Sequence, residues 1–153
     1  IFVSGIIGNA YLGLNELLDS AASTSNTLAY LKPKARIDLG LQLTDIASAA
    51  IDISDGTLQD MNLICKASDI GAEIYLDKIP TSIPEKSLKL INSGDDYELC
   101  FTADEEKYEQ ILNISKELDI PITVIGKTTS SKELVLYDDN HKRIKLNSGY
   151  KHF

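Results

Sequence analysis

The sequence predicts a layered fold of the α/β (α+β) class, with a mixed sheet and helices packed mainly on one face. Three observations carry that prediction. Segments of period two, such as AAIDIS at 49–54 and YELCFT at 97–102, alternate along the chain with segments of helical period, such as EEKYEQILNISKELD at 105–119. Such an alternation buries its sheet faces against helical stripes, which is what layered architectures do. No segment repeats at a fixed period and none is of low complexity, which removes solenoid and fibrous folds. With 153 residues, 43% of them hydrophobic, the chain can bury one core, and residues 1–153 read as a single domain.

Taken in order, Ile1 to Ser4 is an apolar run read as a strand, and GIIGN is a glycine-bearing turn into the helix AYLGLNELL. The segment DSAASTSNTLAYLKP at 19–33 is small and polar and reads as a surface connection ended by Pro33. In RIDLGLQLTDIASAA at 36–50, Ile37, Leu41, Thr44 and Ala47 or Ser48 give a helical stripe. AAIDIS reads as a strand, DGTLQDMNLICKASD as a helix, and AEIYLD as a strand ending before the proline-bounded loop KIPTSIP. A short helix follows at Glu85 to Ile91. YELCFT is a strand, 105–119 an amphipathic helix, ITVIGK one further strand, and ELVLYD another that leads into the polar turn DDNHK.

Composition narrows the function. Fifteen Lys and Arg stand against 23 Asp and Glu, a formal charge of −8, which argues against nucleic-acid and anionic-membrane partners. A protein so charged needs metal cations if it handles phosphates. No apolar run approaches the ~20 residues of a membrane span and no secretory leader is seen, so a cytoplasmic setting is expected. Cys65 and Cys100 form no C-x-x-C pair and read as reduced core thiols, while His141 and His152 bring no ligand cluster. The chain opens without Met on an apolar strand, as part of something longer would.

The stretch AAIDISDGTLQDM at 49–61 sets three acids where a strand runs into a helix. In the extended part, Ile51 and Ile53 share one face, and Asp52 and Ser54 project from the other. Asp55 and Gly56 mark the turn, and the helix start beyond it favours an anion such as phosphate. Carboxylates alone would repel that anion, whereas Mg²⁺ is held by one or two carboxylates and completes its shell with water and phosphate oxygens. The residues also admit a plainer reading, in which Ser54 or Asp55 caps the helix for ~1 kcal/mol and Asp52 is merely exposed. Asp60, inside the helix, reads as a solvated surface acid outside the site. In SGDDYELCF at 93–101, Gly94, Asp95 and Asp96 precede a strand with Tyr97, Leu99 and Phe101 on one face and Glu98 on the other. Adjacent carboxylates repel unless water, a donor or a cation is close, and these residues alone favour an ordinary solvated turn.

Together, SGIIGNA at 4–10, AAIDISDG at 49–56, SGDDYELCF at 93–101, VIG at 124–126 and GYKHF at 149–153 resemble, in order and spacing, the thiamine-monophosphate kinase family. That family lies within the superfamily of aminoimidazole-ribonucleotide synthetase-like, ATP-dependent enzymes. Gly5 and Gly8 lack the Lys and spacing of a P-loop and read as a structural turn of the family pattern. The resemblance covers the whole chain and implies the C-terminal domain of that fold. The family's N-terminal domain, which binds ATP and Mg²⁺ and forms the homodimer, would then lie outside this chain, leaving it inactive alone.

The resemblance implies transfer of the γ-phosphoryl of ATP to thiamine monophosphate, giving thiamine diphosphate, by in-line attack with no covalent nucleophile. Asp52 and Asp55 then match magnesium ligands, Ser54 an ATP-phosphate contact, and Asp95 and Tyr150 contacts to thiamine phosphate. Asp95 stands where the family often has Glu. An acid and an aromatic suit the permanently cationic thiazolium, which a ring face attracts by ~0.5–2 kcal/mol. Two alternatives remain at this level. One is another superfamily enzyme, such as a hydrogenase maturation factor, whose chain ends in a reactive Cys where this one ends in HF. The other is a non-catalytic binding module.

Overall fold

The computed structural model describes residues 1–19 and 23–145. Its elements run β1 (Phe2–Ser4), α1 (Asn9–Asp19), α2 (Ser25–Leu31), α3 (Ile37–Gln42), β2 (Ala47–Asp52), α4 (Thr57–Ser68), β3 (Gly71–Tyr75), α5 (Ser87–Leu90), β4 (Leu99–Ala103), α6 (Tyr108–Leu118), β5 (Ile122–Val124), β6 (Gly126–Thr129), β7 (Leu134–Tyr137) and β8 (Arg143–Ile144). The expected α+β class holds. Its strands divide into two sheets of four, ordered β2-β4-β1-β5 and β6-β3-β7-β8. The first is antiparallel throughout, while the second is mixed, β3 running parallel to β7 and antiparallel to β6.

β4 lies inside the first sheet, and its alternation sends neighbouring residues into different cores. Cys100 joins Val3, Ile53, Met61, Ile64, Ile74 and Leu136 between that sheet, α4 and the second sheet. There its thiol lies 3.8 Å from the Met61 sulfur, and burial pushes its pKa up to about 12. Both cysteines are buried and free, as expected. Phe101 faces the opposite side with Leu39, Leu43, Ile111 and Ile114, stacked on Phe2 at 5.1 Å between ring centres.

Three local expectations are corrected. The 19–33 segment holds α2, because Thr24 and Thr27 form a reciprocal capping box that offsets the weak helix propensity of its small polar residues. The stripe over 36–50 is out of phase: Leu39, Leu43 and Ile46 are buried, while Ile37 and Leu41 are 68% and 69% exposed. The helix turns that side toward α6 and Phe101, and the chain is already a strand by Ala47. ITVIGK is two strands. Ile125, fully buried, donates its N–H to Ile1 O and accepts from Tyr75 N, so the chain passes from the first sheet to the second at that residue.

One ion pair, buried at Glu98 and half-buried at Arg36, ties distant segments together. Arg36 meets Glu98 in a two-point contact, Nε to Oε2 at 2.7 Å and Nη2 to Oε1 at 2.5 Å, and Ser4 Oγ donates to the same carboxylate. Leu99 N in turn donates to Ser4 Oγ at 2.9 Å. A Cβ on Gly5 would stand 2.1 Å from Glu98 Oε1, so only glycine fits beneath the pair. Removing Arg36 strands the buried Glu98 charge away from water. Arg36→Met should therefore cost about 3–5 kcal/mol by chemical denaturation, and adding Glu98→Gln should recover a substantial part of it.

Candidate functional site

The acidic junction begins at the end of β2, where Asp52 sits exposed opposite Leu99 of β4. Beyond it the chain turns through Ser54, Asp55 and Gly56 into α4. Gly56 is the residue before the helix and has φ of 125°, a conformation suited to glycine. It offers no side chain for capping, and no side-chain cap bond is made at that residue.

The turn is held from inside the helix. Asp60 reaches back so that its Oδ2 accepts from Ser54 N at 3.0 Å and from Asp55 N and Gly56 N at 3.1 Å each. It is 1% exposed, which corrects its reading as a solvated surface acid. Burial raises its pKa against the lowering by those N–H groups. The sequence carried a signal for it, since Asp60 falls on the buried stripe of Thr57, Met61 and Ile64. The N–H groups of the turn itself, at residues 54–56, are thus already taken. Thr57 Oγ1 is the one buried side-chain oxygen without a partner among the described residues.

The second acidic stretch is laced onto the first by backbone. Ile53 N donates to Glu98 O at 2.8 Å, Tyr97 N to Ile53 O at 2.9 Å, and Asp95 N to Ser54 O at 2.9 Å. Asp95 and Tyr97 adopt positive φ, 69° and 50°, so the loop kinks twice as it passes. Gly94 lies flat on the junction, where an added Cβ would stand 2.1 Å from Ser54 O. Asp52, Ser54, Asp55 and Asp95 therefore share one corner, with Asp52 and Asp95 exposed and the other two half-buried. Asp55 Oδ2 also accepts from Gln59 Nε2 at 3.1 Å. Tyr150 lies outside the described residues.

Asp96 is not part of a solvated turn. Its carboxylate accepts from Gly8 N at 2.7 Å and Ala10 N at 3.2 Å, binding the start of α1 to the same corner. Burial pushes its pKa up to about 6, with the charges of Glu98 and Asp95 adding to the rise.

No group of three or more His, Cys, Asp or Glu among the described residues is placed to hold a metal ion. Asp52 and Asp55 offer the one or two hard oxygen ligands that Mg²⁺ takes from protein when phosphate and water supply the rest. The donor set fits that ion.

Residues 3–139 match AIR synthase related protein, C-terminal domain. The chain belongs to that family. It is 38% identical over 169 residues to the thiamine-monophosphate kinase of Buchnera aphidicola subsp. Schizaphis graminum, covering 100% of this chain and 52% of that protein. The fold is shared with the crystal structure of thiamine-monophosphate kinase from Stenotrophomonas maltophilia K279a, at TM-score 0.82 and 31% identity over 88% of this chain and 48% of that one. It is shared too with AaThiL complexed with AMPPCP and TMP, at TM-score 0.79 and 28% identity over 99% and 50%. The AIR synthase related chain described here thus spans about half the length of the relatives it matches. Among its described residues no helix is long and apolar enough to cross a membrane.

Two outcomes test this corner. Gly94→Ala must push the loop off Ser54, and a loss of about 2–3 kcal/mol in denaturant unfolding is expected. Asp96 binds its proton more tightly folded than unfolded, so its share of stability is full below about pH 4 and is lost as pH rises through about 6. Subtracting the Asp96→Asn stability profile from the wild-type profile should leave a decline confined to that window.

Proposed function

We propose that this chain is the C-terminal part of a kinase that transfers the γ-phosphoryl group of ATP to thiamine monophosphate, yielding thiamine diphosphate and ADP. The observation that carries this reading is the junction itself. Ser54 and Asp55 lie on a turn that Asp60 fixes, next to Asp52 and beside Asp95, in a family member whose relatives are named for this reaction. The ATP analogue and TMP held by AaThiL support the same pair of substrates.

In this reading Asp52 and Asp55 hold Mg²⁺, Ser54 touches an ATP phosphate, and Asp95 and Tyr150 receive the thiamine moiety. Bound Mg²⁺ supplies charge neutralisation of the phosphate oxygens, which is most of what phosphoryl transfer needs. The carboxylates serve as ion holders, so none needs to act as a base. Asp95, exposed at the rim, puts a negative charge where a thiazolium can approach. Residues beyond this domain supply the remaining ATP and metal contacts and the homodimer interface, and the chain alone is inactive. A cytoplasmic enzyme without nucleic-acid or membrane partners completes the proposal.

The test is turnover by the full-length protein with ATP, Mg²⁺ and thiamine monophosphate, followed as thiamine diphosphate formation. Asp52→Asn should lower kcat/KM roughly a hundredfold or more, since one ion ligand is worth several kcal/mol in the transition state. Absence of turnover by the wild type, or full activity in the variant, would overturn the reading.

A further inference from the structure

We propose that Asp60 is the positioning residue of the junction, aiming Asp52, Ser54 and Asp55 at the ion and nucleotide by fixing the backbone that carries them. This rests on the reading of those three residues given above. A helix start is ordinarily satisfied by a side chain before it that accepts from N–H groups further in. Here the direction is reversed. Asp60 lies in the first turn of α4, and one oxygen of its carboxylate gathers three consecutive N–H groups of the preceding turn.

Three consequences follow from that geometry. The peptide planes at Ser54, Asp55 and Gly56 all point their N–H groups inward at one buried atom, which leaves the turn little freedom. Bonds to an ionised acceptor are the stronger kind, so the arrangement is stiff. Because Asp60 turns inward while Asp52 is exposed, it does not compete for an incoming ion. Its influence on the ion passes through the backbone of its neighbours. Residues that orient metal ligands typically change affinity by about 10- to 100-fold when removed.

Mn²⁺ alone, titrated into the full-length protein and followed by electron paramagnetic resonance, is the probe. Asp60→Ala should weaken Mn²⁺ binding by about 10- to 100-fold, and Asp60→Asn, which keeps an acceptor oxygen, should fall between it and wild type. In kinase assays of the Asn variant, raised Mg²⁺ should restore kcat while the KM for Mg²⁺ stays elevated. A merely structural residue would not produce that split. Asp52→Asn calibrates the outcome. If Asp52→Asn abolishes Mn²⁺ binding while Asp60→Ala and Asp60→Asn leave it within about twofold, the positioning role is wrong and the site stands. If Asp52→Asn leaves binding intact, the site reading itself fails. Wild-type amide exchange gives an arm that misfolding of a variant cannot spoil. Ser54, Asp55 and Gly56 N–H should be protected together, and exchange of all three at open-loop rates would overturn the proposal.

Discussion

One carboxylate oxygen, Asp60 Oδ2, sets the shape of the corner on which this domain's chemistry is proposed to depend. By answering three N–H groups from within α4, it lets the strand-to-helix turn dispense with a capping side chain. In the proposed reading, Ser54 and Asp55 then serve the nucleotide and its ion. An acid buried for this purpose carries a desolvation cost, seen in its raised pKa, and the bonds it accepts offset that cost.

Around that turn, three stretches of sequence converge through backbone bonds and buried carboxylates together. Gly8 and Ala10 reach Asp96, Ile53 and Ser54 are laced to residues 95–98, and Arg36 with Ser4 secures Glu98. The three acidic residues between 95 and 98 thus divide by task. Asp96 and Glu98 face inward and build the corner, while Asp95 faces outward.

The sequence disclosed most of the regular structure because period two and helical period are local properties. AAIDIS, DGTLQDMNLICKASD and 105–119 became β2, α4 and α6 with only boundary changes. What it withheld was non-local. ITVIGK looks like one strand because nothing nearby says that Ile122–Val124 and Gly126–Thr129 pair with different sheets. Arg36 and Glu98 are 62 residues apart, so no window reveals their pairing. Asp60 and Asp96 looked like surface acids because acids usually are, and only the fold brings N–H groups to them. Asp52, Ser54, Asp55 and Asp95 were legible as a set through their resemblance to a family, and the fold brings all four to one corner.

The lacing between Ile53–Ser54 and residues 95–98 has a bearing on selectivity. Peptide-to-peptide bonds fix the spacing between the two acidic stretches much as the teeth of a caliper fix a gauge. Were one stretch to grip the donor's phosphates and the other the acceptor's ring, their separation could not stretch to suit a longer or shorter acceptor. Discrimination by molecular length would then be written into the main chain, and mutating surface side chains would do little to relax it.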